Sequence, residues 1–158
     1  MSAGSSLARL LEALEQWAPI VALRESTYAY PLVNALHIIG IALLFGSIVA
    51  LDLRLVGWRR SAGPVEGFAR VLLPVAIGGL ALAIPAGLLL FATDARAYAA
   101  SPLFQAKLLV IALAIANALW LRTSERRGQR ARRAAIAGIA SILLWLGAIV
   151  LGRLVAYF

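Results

Sequence analysis

The sequence predicts an all-α integral membrane protein, a four-helix bundle preceded by a short amphipathic helix. Three observations carry this expectation. First, the 158 residues are 63% hydrophobic, and a mean hydropathy of +0.91 means more apolar surface than one small water-soluble core can bury. Second, four apolar stretches, at about residues 28–53, 71–91, 103–121 and 134–157, each approach or exceed the roughly 20 residues needed to cross a hydrocarbon layer of about 30 Å. Third, the arginines gather between these stretches. Together these leave a single transmembrane domain over residues 1–158.

Residues 1–26 precede the first span. Leu7, Leu10, Leu11, Leu14 and Trp17 recur at helical spacing, while Arg9, Glu12 and Glu15 point elsewhere. This predicts an amphipathic helix that lies on the membrane surface or packs over the mouth of the bundle. Glu12 and Glu15 interrupt any hydrophobic region of a cleaved signal peptide.

The first span places Tyr30, Asn34, His37 and Asp52 within about 60° of one direction at 100° per residue. Ala42, Gly46 and Ala50 point the other way, a small-residue stripe that lets a second helix approach closely. The second span holds Pro74 and Pro85 with Gly78, Gly79 and Gly87, which frees backbone carbonyls and permits a kink. The third carries Lys107 about one turn from its start, and Asn117 as an interhelical hydrogen-bonding residue. The fourth ends on Arg153 and Tyr157, with Ala134, Gly138, Ala148 and Gly152 as close-packing positions.

Arg54, Arg59, Arg60 and Arg70 bracket the first connection, and Arg122, Arg126, Arg127, Arg130, Arg132 and Arg133 the third. Basic short loops stay on the cytoplasmic side, so both chain termini are expected outside. Trp58 and Trp120 fall near the inner interface and Tyr28, Tyr98 and Tyr157 near the outer one, as aromatic belts require. The net charge of +8 is therefore a topology signal. The interleaving of aromatic and basic residues that nucleic-acid binding calls for is missing. Absence of cysteine removes disulfides and thiolate metal sites, and Met1, the sole methionine, leaves no internal thioether ligand for copper(I). The expected partners are the lipid bilayer and a second copy of the chain or a larger membrane complex.

His37 is the only histidine and Lys107 the only lysine. An ionisable group within hydrocarbon costs roughly 2.5–3.5 kcal/mol on insertion scales, so it persists where it is paired, solvated or used. His37, about nine residues below Tyr28, falls near mid-membrane, and Lys107 and Arg153 lie shallower on the same side. The candidate site is therefore His37, Lys107, Arg153 and Asn34, with Glu25 and Asp94 as the nearest carboxylates. Two cations at one end suit an anionic ligand. Three readings of His37 stay open: a hydrogen bond within the bundle, an axial ligand to haem iron, or a proton relay at a quinone or porphyrin pocket. Asp52 and Arg54 are expected to form a structural ion pair or cap at the inner end.

The string Ala35-Leu36-His37-Ile38-Ile39-Gly40, followed by Leu53-Arg54-Leu55, resembles the first span of the bacterial haem-containing membrane protoporphyrinogen oxidase and its copper-resistance-type relatives. Phe104-Gln105-Ala106-Lys107-Leu108-Leu109 resembles a later span of those four-helix proteins, and Gly152-Arg153-Leu154-Val155-Ala156-Tyr157 a family of short bacterial four-span proteins of unknown function. The resemblance implies the bacterial inner membrane, haem b at His37 as metal ligand, and a role in activity for Lys107. With a single histidine per chain, haem would be five-coordinate or held between two copies by paired His37 side chains. A non-catalytic accessory subunit that docks to itself or to a larger complex is the alternative.

Overall fold

The computed structural model describes residues 2–58, 65–125 and 131–157. It contains helices α1 (Ser2–Glu15), α2 (Ala18–Glu25), α3 (Ala29–Val56), α4 (Val65–Ala92), α5 (Ala95–Ala100), α6 (Pro102–Glu125) and α7 (Ala131–Leu154). Among the described residues there is no strand. Four of the helices are long and apolar enough to cross a membrane, over Ala29–Val56, Val65–Ala92, Pro102–Leu121 and Arg133–Leu154. The expected fold class stands, with the second span beginning six residues earlier than the hydropathy alone suggests.

The arrangement of side-chain sizes is the reverse of a soluble protein. Buried positions are small, among them Ala76, Ala83, Ala86, Ala114, Ala137 and Ala148, and Ile20 is the one large side chain buried almost completely among the described residues. Large aliphatics such as Leu32, Ile38, Ile77, Leu88, Leu109 and Leu143 face outward. In water this surface would be costly, but against lipid tails it is solvated, and helix association falls to close packing of small residues. All four spans meet at one waist, where Leu44, Ala76, Ala114 and Trp145 form the buried cluster. Around it α3 packs against α4 and α7, and α7 against α6, while α4 and α6 share no extended contact.

The tightest approach joins α3 and α4. A Cβ built on Gly40 would stand 2.6 Å from the Ala83 amide nitrogen, and one on Gly79 2.7 Å from the Gly40 carbonyl oxygen. The two backbones touch there directly. Gly46, at the centre of the Ala42–Gly46–Ala50 stripe, has nothing within 4 Å of such a Cβ, so the close-packing face of α3 within the chain is the Gly40, Leu44, Ser47, Leu51 side. The helix α4 continues through both Pro74 and Pro85.

Local chemistry sets the ends. The amphipathic segment is two helices and not one, because Pro19 has no amide to give the Glu15 carbonyl and its ring would clash with it, ending α1 at Glu15. Gly57 closes α3 in the left-handed conformation, φ 103°, which lets the Trp58 amide reach the Leu53 carbonyl at 3.0 Å. The helix α5, not foreseen in the sequence, fills the second connection until Ser101 and Pro102 start α6. Of the loop arginines, Arg59, Arg60, Arg126, Arg127 and Arg130 lie outside the described residues.

Candidate functional site

His37 sits on α3, half-buried, with its imidazole laid into α4. A Cβ on Gly87 would stand 2.7 Å from Cε1 and 3.1 Å from Nδ1 of this ring, so only glycine leaves space for it. Nδ1 is 2.8 Å from the carbonyl oxygen of Ala83. A carbonyl can only accept, so Nδ1 carries the hydrogen, and in the neutral ring Nε2 holds the lone pair. Histidines that ligate metals are oriented in this way, one ring nitrogen donating to a fixed acceptor and the other presented to the ion.

Lys107 is half-buried on α6. Its stem crosses Gly152 of α7, where a Cβ would meet Cε at 3.2 Å and Nζ at 3.3 Å, and Nζ is 5.8 Å from the centre of the Phe104 ring. The other two candidates lie apart from this pair. Arg153 is exposed and donates from Nη2 to the Tyr157 hydroxyl at 2.9 Å, its guanidinium over the same ring, which is the geometry of an anchored helix end. Asn34 is exposed on α3, and so is Glu25 on α2. Of the shared vestibule expected from the spacing, the imidazole is turned to α4, the ammonium to α7 and the guanidinium to Tyr157.

The bundle mouth is built instead by residues that the sequence does not single out as a group. A depression of about 490 Å³ is lined by Glu15, Arg24, Tyr30, Thr93, Asp94, Arg96 and Tyr98. Tyr30 stands two turns from His37 on the same side of α3, roughly 10 Å along the axis. Glu15, buried, accepts from the Arg96 backbone amide at 2.7 Å and from Arg96 Nε at 2.9 Å. These bonds, the amide foremost, hold its carboxyl below the usual carboxylate range against the cost of burial. Arg24 donates to the Thr93 carbonyl at 3.3 Å. Burial pushes the Tyr98 phenol up, helped by Tyr30 and Asp94. The Tyr98 ring packs 6.2 Å from Phe91 and 5.6 Å from Phe104, and those two stack at 5.4 Å. This triad ties the end of α4 to the start of α6.

At the opposite end Asp52 and Arg54 part company. Asp52 lies against α7, its carbonyl oxygen 3.0 Å from where a Cβ on Gly138 would be, whereas Arg54 donates to the Trp58 carbonyl at 3.2 Å and lies 4.6 Å over the Phe68 ring. Two residues along a helix are about 200° apart, so the two side chains serve different neighbours. Asn117 of α6 donates to the Ala137 carbonyl of α7 at 2.9 Å, the interhelical bond expected of it. Among the described residues no three His, Cys, Asp or Glu side chains are grouped to hold a metal ion. Comparison with protein-family models, curated sequences and solved structures gives no match to this chain.

Proposed function

We propose that this chain is a haem-binding or otherwise redox-linked protein of a bacterial inner membrane, with His37 as the ligand. The observation that carries the reading is the bond from Nδ1 to the Ala83 carbonyl, which fixes the ring and leaves Nε2 as its lone-pair nitrogen. Lys107, half-buried on α6, supplies the cation that a propionate needs. Arg153, engaged with Tyr157, and exposed Asn34 are peripheral. Bound iron would supply one-electron chemistry, and the protein's part is to fix the imidazole and balance carboxylate charge. Both termini lie outside, with the arginine-rich connections in the cytoplasm. Because the chain has no cysteine, single cysteines introduced near either end report this topology by labelling from one side.

Purification after expression with added haem tests the ligand. A Soret band that vanishes in His37→Ala, with helical circular dichroism kept, is expected; its absence from the wild-type protein defeats the haem reading.

A second reading, a non-catalytic subunit that assembles with its own copies, draws on Gly46. The Ala42 and Gly46 face is exposed, and among the described residues nothing lies within 4 Å of a Cβ on Gly46. Gly46→Leu then leaves the protomer folded but reduces the oligomer to single chains by native mass measurement, while His37→Ala leaves assembly intact.

A further inference from the structure

The depression at the bundle mouth has no part in the reading of His37, and its charges are not all matched. Arg96 is balanced by Glu15 at 2.9 Å, with Glu12 at 3.8 Å. That leaves one lining group of each sign. Arg24 gives its Nη1 to the Thr93 carbonyl at 3.3 Å, and Asp94, exposed, makes no cap bond to α5. Neither forms an ion pair among the described residues. The carbonyl that positions Arg24 belongs to the residue before Asp94, and successive Cα atoms are about 3.8 Å apart. The two charges therefore stand within reach of one small molecule. Tyr30 of α3 and Tyr98 of α5, both half-buried, line the same depression.

A purely anionic ligand would be drawn to Arg24 and repelled by Asp94, and a purely cationic one the reverse. A ligand that carries both signs satisfies both groups. The guanidinium fork suits a phosphate. A primary ammonium has N–H groups to give to the carboxylate and to phenol oxygens, whereas a quaternary one has none, and phenol rings attract a cation. Trp17 and Tyr28, 59% and 80% exposed at the starts of α2 and α3, are placed as aromatic side chains at headgroup level are. We propose that the mouth binds a zwitterion in which a short chain joins a primary ammonium to a phosphate, the chemistry of an ethanolamine headgroup. Arg24 takes the phosphate and Asp94 the ammonium, with the phenols of Tyr30 and Tyr98 as uncharged partners. Glu15 and Arg96 hold the wall in place. The site holds whether or not His37 binds haem.

The chain has four tyrosines, Tyr28, Tyr30, Tyr98 and Tyr157, so ring-labelled ζ-¹³C tyrosine gives four resonances, assigned by single phenylalanine replacements. In the full-length protein in maltoside micelles, O-phosphoethanolamine is expected to move the Tyr30 and Tyr98 signals and leave Tyr157 in place. Inorganic phosphate, ethanolamine and phosphocholine should each bind at least about tenfold more weakly. Asp94→Asn is expected to weaken phosphoethanolamine about tenfold and leave phosphate binding intact, and Arg24→Gln to weaken it as much and leave ethanolamine binding intact. Nanodiscs of phosphatidylglycerol, with and without phosphatidylethanolamine, separate the sources. Shifts caused by the lipid make the ligand a membrane headgroup, and shifts caused by the soluble compound alone make it a free solute. Stationary Tyr30 and Tyr98 signals in both media overturn the proposal. So does inorganic phosphate that binds as well as phosphoethanolamine, which would leave a plain anion site, or affinity unchanged in both variants with helical circular dichroism retained.

Discussion

Alanine at position 79 is expected to drive α3 and α4 apart, whereas alanine at its neighbour 78 changes almost nothing. The Cβ at 79 would stand 2.6 Å from the Leu44 amide nitrogen, 2.7 Å from the Gly40 carbonyl oxygen and 2.9 Å from Leu43 Cβ. Ordinary contact begins at 3.4 Å, so the shortfall is about 0.8 Å against backbone atoms that cannot rotate away. Forcing one methyl into a filled contact costs about 1–3 kcal/mol. The His37 to Ala83 bond spans the same two helices, and its loss adds about 0.5–1.5 kcal/mol. At Gly78 nothing lies within 4 Å, so only the helix-forming advantage of alanine remains, about 0.5–1 kcal/mol, and it acts at both positions. The two variants should therefore differ by about 2–4 kcal/mol, roughly 30- to 700-fold in the ratio of folded to unfolded protein. Reversible unfolding in mixed micelles of increasing SDS fraction, followed by circular dichroism, measures the gap. Variants within about 0.5 kcal/mol of one another would refute a backbone contact at Gly79.

Three further outcomes follow from the geometry. Gly87→Ala puts a methyl 2.7 Å from Cε1 of His37; the ring, as the end of a side chain, swings out, so helical content is retained while haem absorbance, if present in the wild type, is lost. Glu15 holds a lowered value through Arg96, so its contribution to docking α1 is complete above the ordinary carboxylate range and is lost as pH falls through the lowered folded value. Hydrogen exchange across residues 2–15 should therefore rise on acidification below about pH 4 in the wild type, and be high at every pH in Glu15→Gln. Asn117→Leu removes one bond to the Ala137 carbonyl and should cost about 0.5–1.5 kcal/mol in the same micelle assay; no loss would mean that the bond adds nothing over lipid-exposed alternatives.

The four spans were legible because membrane crossing is written in composition and length, which need no knowledge of neighbours. Which side of each span faces protein was not. In a helix that is apolar all round, lipid and protein neighbours select for similar residues, and the stripe of Ala42, Gly46 and Ala50 looked as suitable for close approach as the Gly40 side that α4 occupies. His37 drew notice as an ionisable group in hydrocarbon, but its acceptor is a backbone carbonyl, and no side chain in the sequence advertises one. The association of Glu15 with Arg96 spans 81 positions and has no local signature. Spacing along α3 makes Asp52 and Arg54 look like a pair, because sequence proximity hides the half-turn that separates them and sends each to its own neighbour. Depth alone places Arg153 with His37, while Tyr157, one turn further on, is its acceptor.

The clasp between Glu15 and Arg96 also sets an order of events during synthesis. A ribosome releases the amino-terminal helix long before the residue that anchors it, with α3 and α4 inserted in between. Until that second hairpin begins to emerge, the carboxylate has no guanidinium to meet, and the leading segment waits unfastened at the surface. Closure of the mouth is thus a late step of biogenesis, and a nascent chain halted before position 96 would carry an open one.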